Sequence, residues 1–275
     1  MAIATAPVTR GVPVTRTTSI GTSTLQIARR SILRYLRTPQ LIVLGTIQGA
    51  MFLLIFRYVF GGAIPISGGI PYVDFLVPGF ITTGVLFSGM GASTGAAEDL
   101  EQGFVDRLRS LPVPRACFLT GRALADTAWN TWGLAVTAAI GFAIGFRIHG
   151  SVSGALAAFG LCVLFGFAFE WLFILLGLLA GTPQAAQGMA LLVFPFTFVS
   201  SAYIPVSSMP GWMQAFASNQ PITYMVDAVR ILSEGHPAQV LIGHSAGYEV
   251  THALLWALGF VVVFGPLAAL RYRRS

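Results

Sequence analysis

Long apolar runs constrain this chain more than any other feature. Six windows, near residues 39–60, 75–97, 123–146, 153–180, 185–205 and 250–270, are each long enough to cross a bilayer as a helix, which takes ~20 apolar residues. The runs are continuous and lack the period-two alternation of a membrane β-barrel. Charged residues are only 9% of 275, and the mean hydropathy is +0.76. A soluble domain usually carries about 25% charged residues. So few charges cannot cover a water-facing surface, so lipid must solvate most of the chain. The fold class expected is all-α: a polytopic membrane protein with six transmembrane helices over residues 25–275. Residues 1–24, rich in Thr, Pro and Arg, are expected to form a disordered tail. The stretch ahead of the first run is too long for an ordinary signal-peptide n-region.

All 16 basic residues are arginine. Without lysine the chain cannot carry a P-loop, whose lysine holds nucleotide phosphates. The net charge of +6 does not point to nucleic acid, because the arginines flank apolar spans instead of forming one basic face. Thirteen of them lie before residue 38, between Arg107 and Arg122, or after residue 270; only Arg57, Arg147 and Arg230 fall elsewhere. Positively charged segments stay in the cytoplasm. Both termini are therefore expected inside, with the protein in a bacterial inner membrane. Cys117 and Cys162 read as apolar fillers. The four histidines show no ligand spacing, so no metal site is expected, and no Ser, Cys or His constellation suggests hydrolysis.

Three stretches outside the spans carry the functional signals. In residues 19–38, Leu25, Ala28, Ile32 and Leu36 share one helical face, with Arg30, Arg34 and Arg37 opposite. This predicts an amphipathic helix in the cytoplasmic interface. Residues 98–122 hold Glu98, Asp99, Glu101, Asp106, Arg107, Arg109 and Arg115, with Leu100, Phe104, Leu108 and Leu111 at helical spacing. They predict a short cytoplasmic helix stopped at Pro112, whose apolar stripe fits either the membrane surface or a groove on a soluble partner. Residues 206–249 predict short external helices at 210–217 and 221–233. In the second, Asn219 or Gln220 would cap, Pro221 would open the first turn, Ile222, Met225, Val226 and Val229 would form the stripe, and Gly235 and Pro237 would end it.

Together these residues resemble the permease subunits of type 2 ABC exporters, especially the drug-resistance branch typified by daunorubicin exporters. The resemblance covers nearly everything after Leu25. It is carried by Phe60-Gly61-Gly62 with Tyr72, Phe75, Leu76, Pro78 and Gly79, by Glu101, Gly103, Arg107, Leu108, Pro112 and Arg115, and by Asn219 to Tyr224 with Asp227 and Arg230. It implies a dimer with a second copy or a sibling permease. Each half would dock a separate ATPase subunit, two per complex, and that subunit would hold ATP and Mg; no cofactor is expected on this chain. Glu98, Glu101, Gly103, Phe104, Arg107, Leu108, Arg109, Pro112 and Arg115 would form the ATPase-coupling segment, beside the interface helix with Arg30, Arg34 and Arg37. Asn219, Pro221, Tyr224, Asp227 and Arg230 would lie in external re-entrant helices near the exit. The implied cargo is an amphipathic drug, antibiotic or lipid leaving the cytoplasm or inner leaflet.

Within the spans, Glu170 is the costliest residue, since a mid-membrane carboxylate costs ~2.5–3.5 kcal/mol on insertion scales. It reads either as a counter-charge for cationic cargo or as a hydrogen-bonded group holding helices together. Asp126 follows Arg122 by four residues, which a local ion pair explains. Gln48, Asn130, Phe194, Thr197 and Phe198 are further candidates for a substrate path. Other readings are a polysaccharide or lipid-linked glycan exporter, an intramembrane lipid-modifying enzyme, or a channel. The enzyme would need a paired acid, histidine or metal group at one depth. The channel would need polar residues repeated along one helix face.

Overall fold

The computed structural model describes residues 20–37, 39–62, 64, 66, 69–103 and 116–274. All regular structure among them is helical. The elements used below are α1 (Ile20–Leu36), α2 (Pro39–Ile55, continued by a π-turn Phe56–Phe60), α3 (Tyr72–Glu101), α4 (Ala116–Ala143), α5 (Val152–Ala180), α6 (Pro183–Leu191), α7 (Phe194–Phe198), α8 (Gly211–Asn219), α9 (Pro221–Glu234), α10 (His236–Ile242) and α11 (Ala246–Arg274).

Among the described residues, four helices are long and apolar enough to cross a membrane: Val43–Phe60, Tyr72–Glu101, Val152–Ala180 and Ala246–Arg273. The expected count of six is therefore not reproduced by continuous apolar helices. α4 has 28 residues, long enough at ~1.5 Å per residue, but Arg122, Asp126 and Asn130 dilute its apolar character. The window at 185–205 is not one helix. α6 ends at Leu191, and α7 starts after a turn at Leu192 and Val193. Pro195 explains the break, because its ring clashes with the carbonyl four residues back, that of Leu191.

The broken segment nonetheless runs the length of α3. Ser93 Oγ donates to the Ala186 carbonyl at 3.4 Å. The Phe87 and Phe194 rings meet edge-on, with centroids 5.1 Å apart. Further along, the Tyr72 hydroxyl donates to the Tyr203 carbonyl at 3.2 Å. Small residues allow this packing, as in other membrane bundles. A Cβ on Gly79 would sit 2.1 Å from the Ala202 carbonyl oxygen, and one on Gly177 would sit 2.2 Å from the Ser93 carbonyl oxygen.

Both ends of the described chain lie at one end of the bundle, called the near end here. There Ile27 of α1, Phe118 of α4, Leu178 of α5 and Tyr272 of α11 join one apolar cluster. Arg271 Nε also donates to the Leu178 carbonyl at 3.2 Å. At the far end the loop from α4 to α5 meets α9, where Gly150 N–H donates to the Ser233 carbonyl at 2.8 Å.

Several expectations change in detail. α1 starts at Ile20, so residues 20–24 are helix and not tail. Its buried face centres on Ile27 and Ala28, packed on α4, while Leu25 and Leu36 are exposed. The packing is close enough that a Cβ on Gly121 would sit 2.8 Å from the Thr24 carbonyl oxygen. Glu98 to Glu101 complete α3 and do not begin a separate helix. α9 is buried along nearly its whole length. Gln220 stands at its N-cap without a capping bond. Instead its side-chain amide donates to the carbonyls of Phe196 and Val199. Gly235 ends α9 at φ +71°, whereas Pro237 opens α10.

Candidate functional site

Arg122, Asp126 and Asn130 recur every four residues, so α4 presents them as one stripe. All three are buried: their exposures are 4%, 3% and 3%. The stripe faces α3 and α5 close to the near end. The Arg122 guanidinium donates to the Asp99 carboxylate in the last turns of α3. Its Nε lies 3.3 Å from Asp126 Oδ2. On the outer side, Arg30 of α1 stands 3.6 Å from Asp99 Oδ1. Gly95 makes room for the guanidinium, since a Cβ there would lie 2.2 Å from an Arg122 nitrogen.

α5 closes the group. A Cβ on Gly166 would sit 2.7 Å from Asn130 Nδ2, so the two helices touch at that level. Glu170 is one turn further along α5 and, with 1% exposure, shares the fields of Asp126 and Arg122. Its Oε2 has no hydrogen-bond partner. The arrangement is a chain of charges running from α1 through α3 and α4 to α5. The Arg122 guanidinium pairs with Asp99 and Asp126, and a charge this deep persists only when it is paired.

The sequence reading of Arg122 and Asp126 as a local ion pair matches this geometry but captures only part of it. Arg122 belongs to a helix and not to the preceding loop. The spacing of Arg122, Asp126 and Asn130 was a readable signal for a polar stripe. Asp99 was not readable as a buried partner, because its sequence neighbours are charged too. Of the expected coupling residues, Glu98 and Glu101 lie in the last turn of α3, and Gly103 follows at φ +64°, a left-handed conformation that suits glycine at a helix end. Phe104, Arg107, Leu108, Arg109, Pro112 and Arg115 lie outside the described residues, as does the Arg34 side chain; Arg37 is exposed.

The proposed substrate-path residues do not form one site: Phe194, Thr197 and Phe198 sit together on α7, where the Phe194 and Phe198 ring centroids are 4.9 Å apart, and the others lie elsewhere. Gln48 is exposed on α2. Asn130 and Glu170 belong to the charge chain. Phe194 packs on Phe87, Phe198 stands 5.1 Å from the Tyr203 ring, and Thr197 is buried with its hydroxyl on the Phe194 carbonyl. A separate apolar cavity of about 490 Å³ lies between α5, α8, α9 and α11, lined by Phe169, Leu172, Phe196, Phe216, Trp256 and Phe260, with Asn219 and Pro221 at its edge.

Asp227 and Arg230 form a lock inside the bundle. Arg230 is fully buried. It pairs with Asp227 at 2.8 Å, donates to the Ser201 carbonyl at 2.8 Å and to the Phe75 carbonyl at 3.1 Å, and lies 3.7 Å over the Phe75 ring. The Ser201 hydroxyl donates to the same Asp227 oxygen at 2.7 Å. Burial lowers the Arg230 pKa to about 10, opposed by Asp227, so the guanidinium stays charged at neutral pH. Tyr224 reaches Asn219 Oδ1 at 3.4 Å. One turn past Arg230, burial lifts the Glu234 carboxyl to about 7 against the pull of His149, and the hydrogen bond to Glu234 raises the His149 imidazole in turn.

Comparison with known proteins shows the family to which the chain belongs. Residues 22–232 match the family described as ABC-2 type transporter. The daunorubicin resistance ABC transporter permease protein of Streptomyces coeruleorubidus is 31% identical over 255 residues, which is 92% of this chain and 87% of that protein. A probable doxorubicin resistance ABC transporter permease protein of Mycobacterium tuberculosis is 27% identical over 257 residues, 92% of this chain and 88% of that protein. The inner membrane transport permease YadH of Escherichia coli K12 is 27% identical over 207 residues, 73% of this chain and 78% of its own. With apolar helices, a charge chain leading out of the bundle and a family match across most of its length, this chain belongs to the ABC-2 type transporter family of integral-membrane permeases.

Proposed function

We propose that the chain is the membrane subunit of an ATP-driven exporter and moves amphipathic drugs, antibiotics or lipids outward while a separate ABC ATPase hydrolyses ATP. The observation that carries this reading is the likeness, over 92% of the chain, to permeases named for daunorubicin and doxorubicin resistance. The ATPase docks at the near end, on α1 and the segment that follows α3. The near end faces the cytoplasm, in keeping with the arginines before residue 38 and after residue 270. The chain passes the bilayer six times, with α4 and the broken α6–α7 segment supplying the two passages that are not continuous apolar helices.

Two observations support the division of labour. Asp99 and Arg122 tie the last turns of α3 to α4, so a push delivered beyond Glu101 reaches the bundle interior. α2 leaves Val43, Leu44, Ile47, Met51, Phe52 and Val59 exposed, a face that suits lipid and a second permease copy. The test is ATP-dependent accumulation of daunorubicin in inverted vesicles holding the chain with the ABC ATPase that co-purifies with it. Uptake that needs both proteins and ATP supports the proposal. Vesicles that take up no more drug than those with the ATPase alone contradict it for this substrate class.

A further inference from the structure

The far end carries three ligating side chains that neither the Arg122 chain nor the Arg230 lock uses. Asp74 opens α3, His149 lies in the loop from α4 to α5, and Glu234 closes α9. One donor atom from each lies within 4.8 Å of the other two. His149 Nδ1 is 2.8 Å from Glu234 Oε2 and 3.8 Å from Asp74 Oδ2. The geometry points to a divalent transition-metal site, with zinc as the matching ion, held by His149 Nδ1 and one oxygen each from Asp74 and Glu234.

Four observations carry the inference. First, Glu234 is 1% exposed, and its other oxygen, Oε1, has no hydrogen-bond partner. The carboxylate thus has a free ligating position, and the half-exposed His149 leaves the site open to solvent. Second, the charges balance: two carboxylates with a neutral imidazole match one divalent cation. The nearby arginines are engaged elsewhere. Arg230 holds Asp227 and two carbonyls, and Arg147 turns its side chain to the carbonyls of Phe142 and Phe146. Third, the ligands are held in place by their surroundings, as metal ligands are. Arg147 N–H donates to Asp74 Oδ1 at 3.0 Å, which turns the other oxygen toward His149. Gly150 N–H, one residue after His149, bonds to the Ser233 carbonyl at 2.8 Å, one residue before Glu234. A side chain at Gly154 would break this approach, since its Cβ would lie 2.5 Å from the Leu232 carbonyl oxygen. Fourth, one imidazole with two carboxylates suits zinc. Magnesium and calcium prefer all-oxygen shells. Three protein ligands leave zinc a fourth position for water.

Bound zinc would staple three elements at the far end: the start of α3, the α4–α5 loop and the end of α9. It would stabilise the protein without entering the near-end machinery. The spacing of 74, 149 and 234 along the chain explains why no ligand pattern is visible in the sequence.

The test uses the full chain, purified in detergent through a tag without histidines and stripped with a chelator. Zinc is titrated in, bound metal is counted by plasma mass spectrometry, and cobalt serves as a spectroscopic substitute. The expected result is one zinc per chain, bound at least tenfold more weakly in both His149→Ala and Glu234→Gln. The melting temperature should rise with zinc in the native chain and not in His149→Ala, because a ligand stabilises only the state that binds it. His149 is half exposed, so its variant should fold even if Glu234→Gln does not. His244→Ala, which breaks a second His–Glu contact at 2.7 Å from Glu249, should bind zinc as the native chain does. Three results would overturn the proposal: no stoichiometric zinc in the native chain, meaning that a proton on His149 alone satisfies the carboxylates; equal binding in His149→Ala; or binding lost with His244.

Discussion

The single residues that matter most are charges buried inside the helix bundle. Arg230 has no other path to water, and every nitrogen that it offers is engaged by α3, by Ser201 or by Asp227. Removing one partner of such a pair strands the other, at a cost of about 3–5 kcal/mol. Arg230→Ala is therefore expected to melt well below the native chain in detergent, as read by fluorescence-detected gel filtration after heating. Pairing Arg230→Met with Asp227→Leu should lose less than Arg230→Met alone. Equal losses would mean that the two side chains do not stabilise each other. Glu170 yields a different prediction. It belongs to the Arg122 charge chain, so Glu170→Gln should change export of cationic and neutral substrates by the same factor. A defect confined to cations would move Glu170 to the substrate path. The sequence showed Glu170 as a costly charge and paired Asp126 with Arg122, but it placed Arg230 in an external helix and gave none of the distant partners, because Asp99, Phe75 and Ser201 are far away in sequence and chemically ordinary.

At the scale of elements, length and hydropathy located the long helices well. They failed where a helix is broken or polar. α3, α5 and α11 coincide with expected windows because ~20 apolar residues force a spanning helix. The 185–205 window has the right composition, but Pro195 divides it, and hydropathy does not register a missing N–H. α9 was legible as a helix from Pro221, its apolar stripe and Gly235. Its burial was not legible, because the stripe covers one side only and the polar side is buried by Asp227, Arg230 and Glu234 meeting partners from other elements. Packing here depends on glycines that let backbones touch. Gly177→Val should cost about 1–3 kcal/mol through overpacking against the Ser93 carbonyl, seen as a lower melting point. Gly188→Val, where nothing lies within 4 Å, should cost much less. Equal effects would show that helix propensity and not the α3–α5 approach sets the loss.

On the proposed function, the whole molecule would take force at its near end and move cargo through the bundle. Sidedness can be read with impermeant maleimide on intact cells carrying Ser245→Cys or Arg273→Cys. Ser245 at the far end should label and Arg273 at the near end should not; the reverse pattern would invert the orientation. The central claim is that an ABC ATPase docks where α3 leaves the bundle. It is tested most directly by tagging the C-terminus, extracting in mild detergent and identifying stoichiometric partners by mass spectrometry, for the native chain and for a variant with Glu101→Ala and Gly103→Pro. Proline cannot adopt the φ of +64° found at Gly103, so the exit from α3 must change. The account predicts one ATPase subunit per native chain and its loss from the variant, with the permease itself still folded and eluting unchanged. A native chain that brings down no ATPase, or a variant that retains it fully, would contradict the account.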